Sequence, residues 1–321
     1  MAEYKIMSYN IENMNEMFSN NVVKPGKQER AQKIAKVITD VSPHVLGICE
    51  AANTKDEHQH FIDTYLPGSG FKIALGESRG AQNLVFYYKD PFVLDSLDAS
   101  IAYYVPWDED VDEDKLKEHH KWDRKPLEAI FKIDPAGPKI LIILVHTKSK
   151  AVFDVVEFHD FQKIAQANRT RLIAQALKLR RRLEELLGSA APKPIMIMGD
   201  MNDGPGLDPY ERNLGKSFVE TAMGPVYHPN LIFHNTLFWM TERDAATKKS
   251  LYTAEFPDPI VTHPERLKHL VWIDHILVSP DMLKADSAVR YVQDSGTIAI
   301  KGADSKKASD HFAVWCKIKI S

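Results

Sequence analysis

Six short polar segments constrain this chain more than any other feature, because each ends a run that reads as a β-strand. They are Tyr9-Asn10-Ile11-Glu12, Cys49-Glu50, Val145-His146-Thr147-Lys148-Ser149, Gly199-Asp200-Met201-Asn202, Ile273-Asp274-His275 and Ser309-Asp310-His311. No one of them is decisive, but together and in this order they are hard to produce by chance. The runs that carry them are of two kinds. Val45-Leu46-Gly47-Ile48-Cys49 and Ile140-Leu141-Ile142-Ile143-Leu144-Val145 are continuously apolar, as strands buried on both faces are. In the last run Phe312, Val314, Cys316, Ile318 and Ile320 alternate with Ala313, Trp315, Lys317 and Lys319, which predicts one buried and one partly exposed face. Helical spacing of Ala31, Ile34, Ala35, Ile38 and Val41 predicts an amphipathic helix over 27–40. Further helices are expected over 56–66 and 158–187. A sheet-on-sheet core with helices outside uses both kinds of strand.

The chain has 321 residues, 44% of them hydrophobic, enough for a large core. The polar segments interleave both halves, so a cut into two domains would split them, and residues 1–321 read as a single domain. A net charge of -3 gives no global attraction to nucleic acid or anionic membranes, so binding of either needs a local basic surface. Cys49 and Cys316 sit in apolar runs and are expected to be buried free thiols. No run is long enough for a transmembrane helix, and no signal-peptide pattern opens the chain, which points to a cytoplasmic protein.

Residue chemistry narrows the reading further. A glutamate after an apolar strand suits Mg²⁺, which takes one or two protein carboxylates plus waters and substrate oxygens; Glu50 is placed for this. In Gly199-Asp200-Met201-Asn202 a glycine turn presents two short polar side chains on one edge. Asp200 can orient or deprotonate a water, and Asn202 can donate to a phosphate oxygen as charge develops. An Asp-His pair recurs in hydrolytic sites because the carboxylate fixes the imidazole tautomer and stabilises its cation. Lys148, after His146, can neutralise phosphate as a point charge; a solvated lysine is the plainer reading.

The six segments resemble those of the endonuclease/exonuclease/phosphatase superfamily, from near the first residue to near the last. The resemblance implies a deoxyribonuclease-like α/β fold: a four-layer sandwich of two packed mixed β-sheets flanked by helices. It implies Glu50 as principal metal ligand, with Asn10 and Asp310 beside the metal, and Mg²⁺ or Mn²⁺ as cofactor. His311 then contacts the scissile phosphate or the nucleophilic water. Asp274 is expected to hold either His311 or His146, and His146 to protonate the leaving oxygen or bind phosphate. Glu12 stands where some relatives carry a second acid, though a solvated loop is its plainer reading, and His275 reads as structural. The His146-Thr147-Lys148-Ser149 form is similar to that of nuclease-like and phosphodiesterase-like branches. Arg79 and Arg124 also stand at positions that approach substrate in those branches.

The basic residues of the long helix, Arg180 to Arg182 among them, point in different directions and are expected to be solvated. The acidic run Asp108-Glu109-Asp110-Val111-Asp112-Glu113-Asp114 lacks the glycine and spaced glutamate of an EF-hand and reads as a solvated, mobile loop. Segment 224–270 carries Tyr227, Phe233, Phe238, Trp239, Tyr252 and Phe256, which serve either to stack on bases or to fix the loop to the core. The expected activity is metal-dependent hydrolysis of phosphoesters by in-line water attack, with nucleic acid as the first substrate class. A phosphatase or phospholipid phosphodiesterase is the alternative, and a non-catalytic binding protein of the same fold a third; no protein partner is inferable.

Overall fold

The computed structural model describes residues 2–77, 82–98, 105–152, 155, 157–189, 194–243, 250–257 and 268–320. In chain order, its main strands begin with β1 (Ala2–Asn10), β2 (Val45–Ala51), β3 (Lys72–Leu75), β4 (Asn83–Tyr88), β5 (Phe92–Asp98) and β6 (Leu127–Ile133). They continue with β7 (Lys139–His146), β8 (Ile195–Asp200), β9 (His234–Asn235), β10 (Asp274–Val278), β11 (Val289–Tyr291), β12 (Thr297–Ile298) and β13 (Val314–Ile320). The helices are α1 (Gln28–Val41), α2 (Lys55–Tyr65), α3 (Phe158–Leu187), α4 (Pro209–Leu214), α5 (Phe218–Met223) and α6 (Ala303–Ala308).

Among the described residues these strands form two large sheets. The first runs β11-β13-β1-β2-β4-β3, with β12 also on β13, and the second runs β9-β10-β8-β7-β6-β5. Each has one parallel pair at its centre, β1 with β2 and β7 with β8, and the other pairings are antiparallel. Parallel neighbours need a crossover, which α1 supplies in the first sheet and α3 in the second. In a parallel pair both C-termini lie on one edge. Register therefore sets Asn10 opposite Cys49, next to Glu50, and His146 opposite Asp200.

Apolar residues on successive positions face opposite layers. Ile6, Val45, Leu144, Met196, Met198, Ile276, Val314 and Cys316 meet between the sheets. Met7, Leu46 and Ile48 turn outward onto Ile34, Ile38 and Phe61 of α1 and α2. Ile143, Ile195 and Ile197 turn outward onto Leu172, Leu179 and Phe218 of α3 and α5. The result is the expected four-layer sandwich. Gly47 sets how closely the sheets approach: a Cβ there would lie 2.5 Å from Met198 Cε and 2.9 Å from Leu144 Cδ1. Both cysteines are buried and free. Among the described residues no helix is long and apolar enough to cross a membrane.

Two expectations change. The acidic run is not a bare loop: Trp107–Glu109 pairs with Glu118–His120 as a hairpin, and Trp107, Val111 and Trp122 pack into the α3-side core. Arg180 is buried rather than solvated, because its guanidinium caps α5 through the carbonyls of Ala222 (3.5 Å) and Met223 (3.0 Å) while pairing with Glu184. The aromatics of the 224–270 segment divide, with Phe233 buried in the core and Tyr227 91% exposed.

A buried histidine ties α2 to the first sheet. His58 is enclosed, with Nε2 donating to the Ala52 carbonyl (3.2 Å) and Nδ1 accepting from the Tyr87 hydroxyl (2.7 Å). Burial depresses its pKa to about 4, against the favourable Ala52 contact. Above its ordinary value of about 6.5 the imidazole is neutral in both states and stability does not depend on it. As pH falls from there toward 4 the unfolded chain takes up the proton first, costing up to about 3 kcal/mol. Urea unfolding should therefore show a loss of stability between about pH 7.5 and about pH 5 that is roughly 2 kcal/mol smaller in His58→Leu; an equal loss in both proteins refutes the assignment.

Candidate active site

The first sheet delivers Glu50 through a β-bulge. Ile48 opposes Val85 but Ala51 opposes Asn83, so β2 carries one extra residue, and Glu50 takes up the mismatch at φ +54°. Its Oε2 accepts from the Asn13 N–H (2.8 Å) and from Gln82 Nε2 (2.7 Å). Oε1 accepts from Asn10 Nδ2 at 3.1 Å and otherwise faces the second sheet, 3.8 Å from His146 Nε2. Asn10 is oriented by the Glu12 N–H, which donates to Oδ1 at 3.0 Å. Its Nδ2 is thereby turned toward Asp200 Oδ2 (2.9 Å) as well as Glu50. Asn10 thus presents a donor to the cluster.

The second sheet delivers His146 and Asp200 side by side, Nε2 to Oδ2 at 3.5 Å. Gly199 is required before Asp200: it sits at φ +139°, and a Cβ there would run into the Val145 carbonyl. Asp200 Oδ1 accepts from the Asn202 N–H (2.8 Å), and Asn202, at φ +47°, donates Nδ2 to the Thr147 carbonyl (3.2 Å). β10 opens on Asp274, whose Oδ2 meets His311 Nδ1 at 2.8 Å. Of the two expected partners, Asp274 therefore takes His311. His275 is structural, donating from Nε2 to the Asp203 carbonyl (2.8 Å).

Thr253 and Arg30 shape the site but had no signal in the sequence beyond ordinary polarity. Thr253 Oγ1 accepts from the backbone of Ile273 and Asp274, both at 2.9 Å, and fixes the start of β10. Thr253 precedes Ala254–Pro257, which pairs with Lys268–Val271 as a hairpin. Phe256 of that hairpin sets its ring edge-on to His311, centroids 5.5 Å apart. Arg30 of α1 clamps two site segments together by donating to the carbonyls of Ile11 (3.0 Å), Glu12 (2.5 Å) and Ala308 (2.9 Å). Ser309 adds a hydroxyl bond to the Asn10 carbonyl (2.8 Å). Glu12 is half-exposed and paired with Arg30, outside the cluster.

The expected phosphate contacts fare differently. Lys148 is half-buried, and burial, with Arg171 and Arg124 nearby, lowers its pKa. Arg124 is drawn inward, with Nε donating to Gln82 Oε1 (2.9 Å) and Nη1 to the Thr147 carbonyl (3.3 Å). Arg79 lies outside the described residues.

Burial divides the charges. His311 is opposed by burial, but the carboxylates of Asp274, Asp200 and Asp310 override it and raise its pKa to about 10, so it is an imidazolium at neutral pH. His146 is held well below its ordinary value by burial and by Arg124 and His311, so it is neutral. Burial and the Asp274 charge raise Asp200 to about 7, against His311 and the Asn202 and Asn10 donors. Burial and the nearby acids Glu12, Glu50 and Asp274 raise Asp310 to about 6, against His311.

Two sets of acid and histidine atoms among the described residues lie within 4.8 Å of one another: Asp200, Asp274 and His311, and Asp110, Asp112 and Asp114. The first is already knitted by the His311–Asp274 bond and is buried, and the second lies on the acidic hairpin. Next to the buried set, the side chains of Glu50 and Asp310 are more open, 15% and 29% exposed.

A family model described as "Endonuclease/Exonuclease/phosphatase family" matches residues 7–311. No curated protein matches the sequence. Among solved structures, D. rerio TDP2 complexed with single-strand DNA product is 12% identical, with a TM-score of 0.56 over 99% of this chain and 100% of that one. The endonuclease/exonuclease/phosphatase from Bacteroides vulgatus is 16% identical, with a TM-score of 0.54 over 100% of both chains. ANGEL2, a 2',3'-cyclic phosphatase in complex with adenosine-2',3'-vanadate, is 15% identical, with a TM-score of 0.54 over 99% of this chain and 96% of that one. At such identities these likenesses establish the fold, and the family model, matched over nearly the whole length, adds the lineage: the chain belongs to the Endonuclease/Exonuclease/phosphatase family, whose enzymes are divalent-metal-dependent phosphoester hydrolases.

Proposed function

We propose that this protein hydrolyses phosphodiesters of nucleic acid by in-line attack of water, with Mg²⁺ or Mn²⁺ as cofactor. The observation that carries the reading is the convergence of Asn10, Glu50, His146, Asp200 and the His311–Asp274 pair, from two sheets, on one edge. That convergence draws on both ends of the chain and supports one domain over residues 1–321. Nucleic acid is favoured by the fold shared with TDP2, seen with a DNA product, and with ANGEL2, seen with an adenosine vanadate.

The donor set fits a hard dication, because Glu50 offers one fixed carboxylate oxygen and Asp310 a partly exposed second carboxylate. When bound there, the ion supplies Lewis-acid polarisation of a phosphate oxygen and neutralises developing charge. Asp200 Oδ2, held by Asn10 and raised toward neutrality, accepts the proton of the attacking water as oxygen bonds to phosphorus. The ester P–O bond opposite breaks. His311 carries the proton that the leaving alkoxide needs, and Asp274 fixes its ring. Asn202 and the neutral His146 donate to phosphate oxygens in the transition state. Lys148 contributes positive charge, and Arg79 is retained as a phosphate contact.

Two outcomes test this reading. Purified protein with Mg²⁺ or Mn²⁺ should cleave single-stranded DNA, plasmid or RNA, chelator should stop it, and Glu50→Gln should lower kcat by on the order of 10²–10³-fold. Turnover of an aryl phosphomonoester or phosphoinositide without nucleic-acid cleavage refutes the substrate class, and no turnover of any of them refutes the activity. Asp274→Asn should lower kcat by roughly 10³–10⁴-fold with little change in KM, because it misorients the His311 ring rather than removing a substrate contact; a loss confined to KM contradicts the assigned role.

A further inference from the structure

Arg124 and Gln82 form a relay that reaches Glu50 from across the site. Gln82, just before β4, donates Nε2 to Glu50 Oε2 (2.7 Å) and to Asn13 Oδ1 (2.8 Å). Both partners of Nε2 accept only, and Arg124 secures the opposite end of the amide: its Nε donates to Gln82 Oε1 at 2.9 Å, which holds Nε2 toward Glu50. The same guanidinium donates Nη1 to the Thr147 carbonyl at 3.3 Å, and that carbonyl also receives Asn202 Nδ2 at 3.2 Å. Arg124 therefore joins Glu50 on the first sheet to Asn202 on the second.

The anchoring matters because Glu50 sits on a bulge at φ +54°, where neither neighbouring ladder fixes its direction. Two donors on Oε2, Gln82 Nε2 and the Asn13 N–H, hold that oxygen back and leave Oε1 turned to the cluster. We propose that Gln82 and Arg124 are positioning residues that pre-set Glu50 as a one-oxygen ligand, so that their loss weakens metal binding before any substrate is present. The proposal rests on the reading of Glu50 as metal ligand. Partners of this outer kind typically alter metal affinity by about 10–100-fold.

The test is Mn²⁺ affinity of the purified full chain without substrate, read from the electron paramagnetic resonance of free Mn²⁺, together with KM on a cleaved oligonucleotide. Glu50→Gln should abolish the tight site. Gln82→Met, close in size and without a donor, should raise the Mn²⁺ Kd about tenfold or more. Arg124→Met should raise it in the same direction, and Arg124→Lys should fail to restore it, because an ammonium lacks the fork that reaches Gln82 and Thr147 together. The double variant should bind Mn²⁺ no more weakly than Gln82→Met alone, because the two lie on one path. Unchanged Mn²⁺ affinity in Gln82→Met overturns the relay, and so do additive losses in the double variant. A raised KM with unaltered Mn²⁺ affinity in Arg124→Met also overturns it, making Arg124 a direct substrate contact. If Glu50→Gln binds Mn²⁺ as tightly as the unaltered chain, the underlying reading of Glu50 falls instead, and the two failures are distinguishable.

Discussion

The structure depends on two parallel strand pairs, one per sheet, that end on the same edge of a closely packed sandwich. In each pair the crossover helix, α1 or α3, places both C-termini together. Stacked sheets then bring Asn10 and Glu50 over His146 and Asp200 without any long loop having to carry them. Gly47 permits the approach, since a side chain there would wedge β2 away from Met198 and Leu144. The site is thus a consequence of topology first and of loop geometry second.

Close approach brings a cost that shapes the chemistry. Carboxylates and imidazoles withdrawn from water must pair or change protonation. Here the outcome differs residue by residue. His311, between Asp274 and Asp200, stays charged; His146, enclosed and repelled by Arg124 and His311, stays neutral; Asp200 rises toward neutrality. Groups of similar type are driven apart by their surroundings, which is how one site holds both a proton donor and a proton acceptor at neutral pH. In the proposed reaction His311 and Asp200 fill those two places. The Asn10 amide lies between Glu50 and Asp200 and donates to both carboxylates.

Much of this was legible in the residues. Continuous apolar runs such as 140–145 identified strands buried on both faces, and the alternation after His311 identified a strand with one half-exposed face; both lie where expected. The polar ends of those runs converge as the motif order implied. What was hidden depends on partners distant in sequence. The bulge at Glu50 arises only from its register against β4. The orientation of Asn10 is set by the Glu12 N–H, which no spacing announces. Gln82 is an unremarkable residue before a strand until Arg124 turns its amide. Arg180 reads as a surface arginine on a basic helix, and only the end of α5 above it makes it a buried cap. The hairpin under the acidic run is likewise decided by Trp107 and Trp122, whose burial outweighs the solvation of the charges between them.

The metal assignment is tested most plainly by the position of Mn²⁺ in a crystal of this protein, read from its anomalous scattering. A peak is expected against the Glu50 carboxylate and should disappear in Glu50→Gln. A peak confined to the Asp110, Asp112 and Asp114 hairpin, or one within the Asp200, Asp274 and His311 cluster that persists in Glu50→Gln, would contradict it.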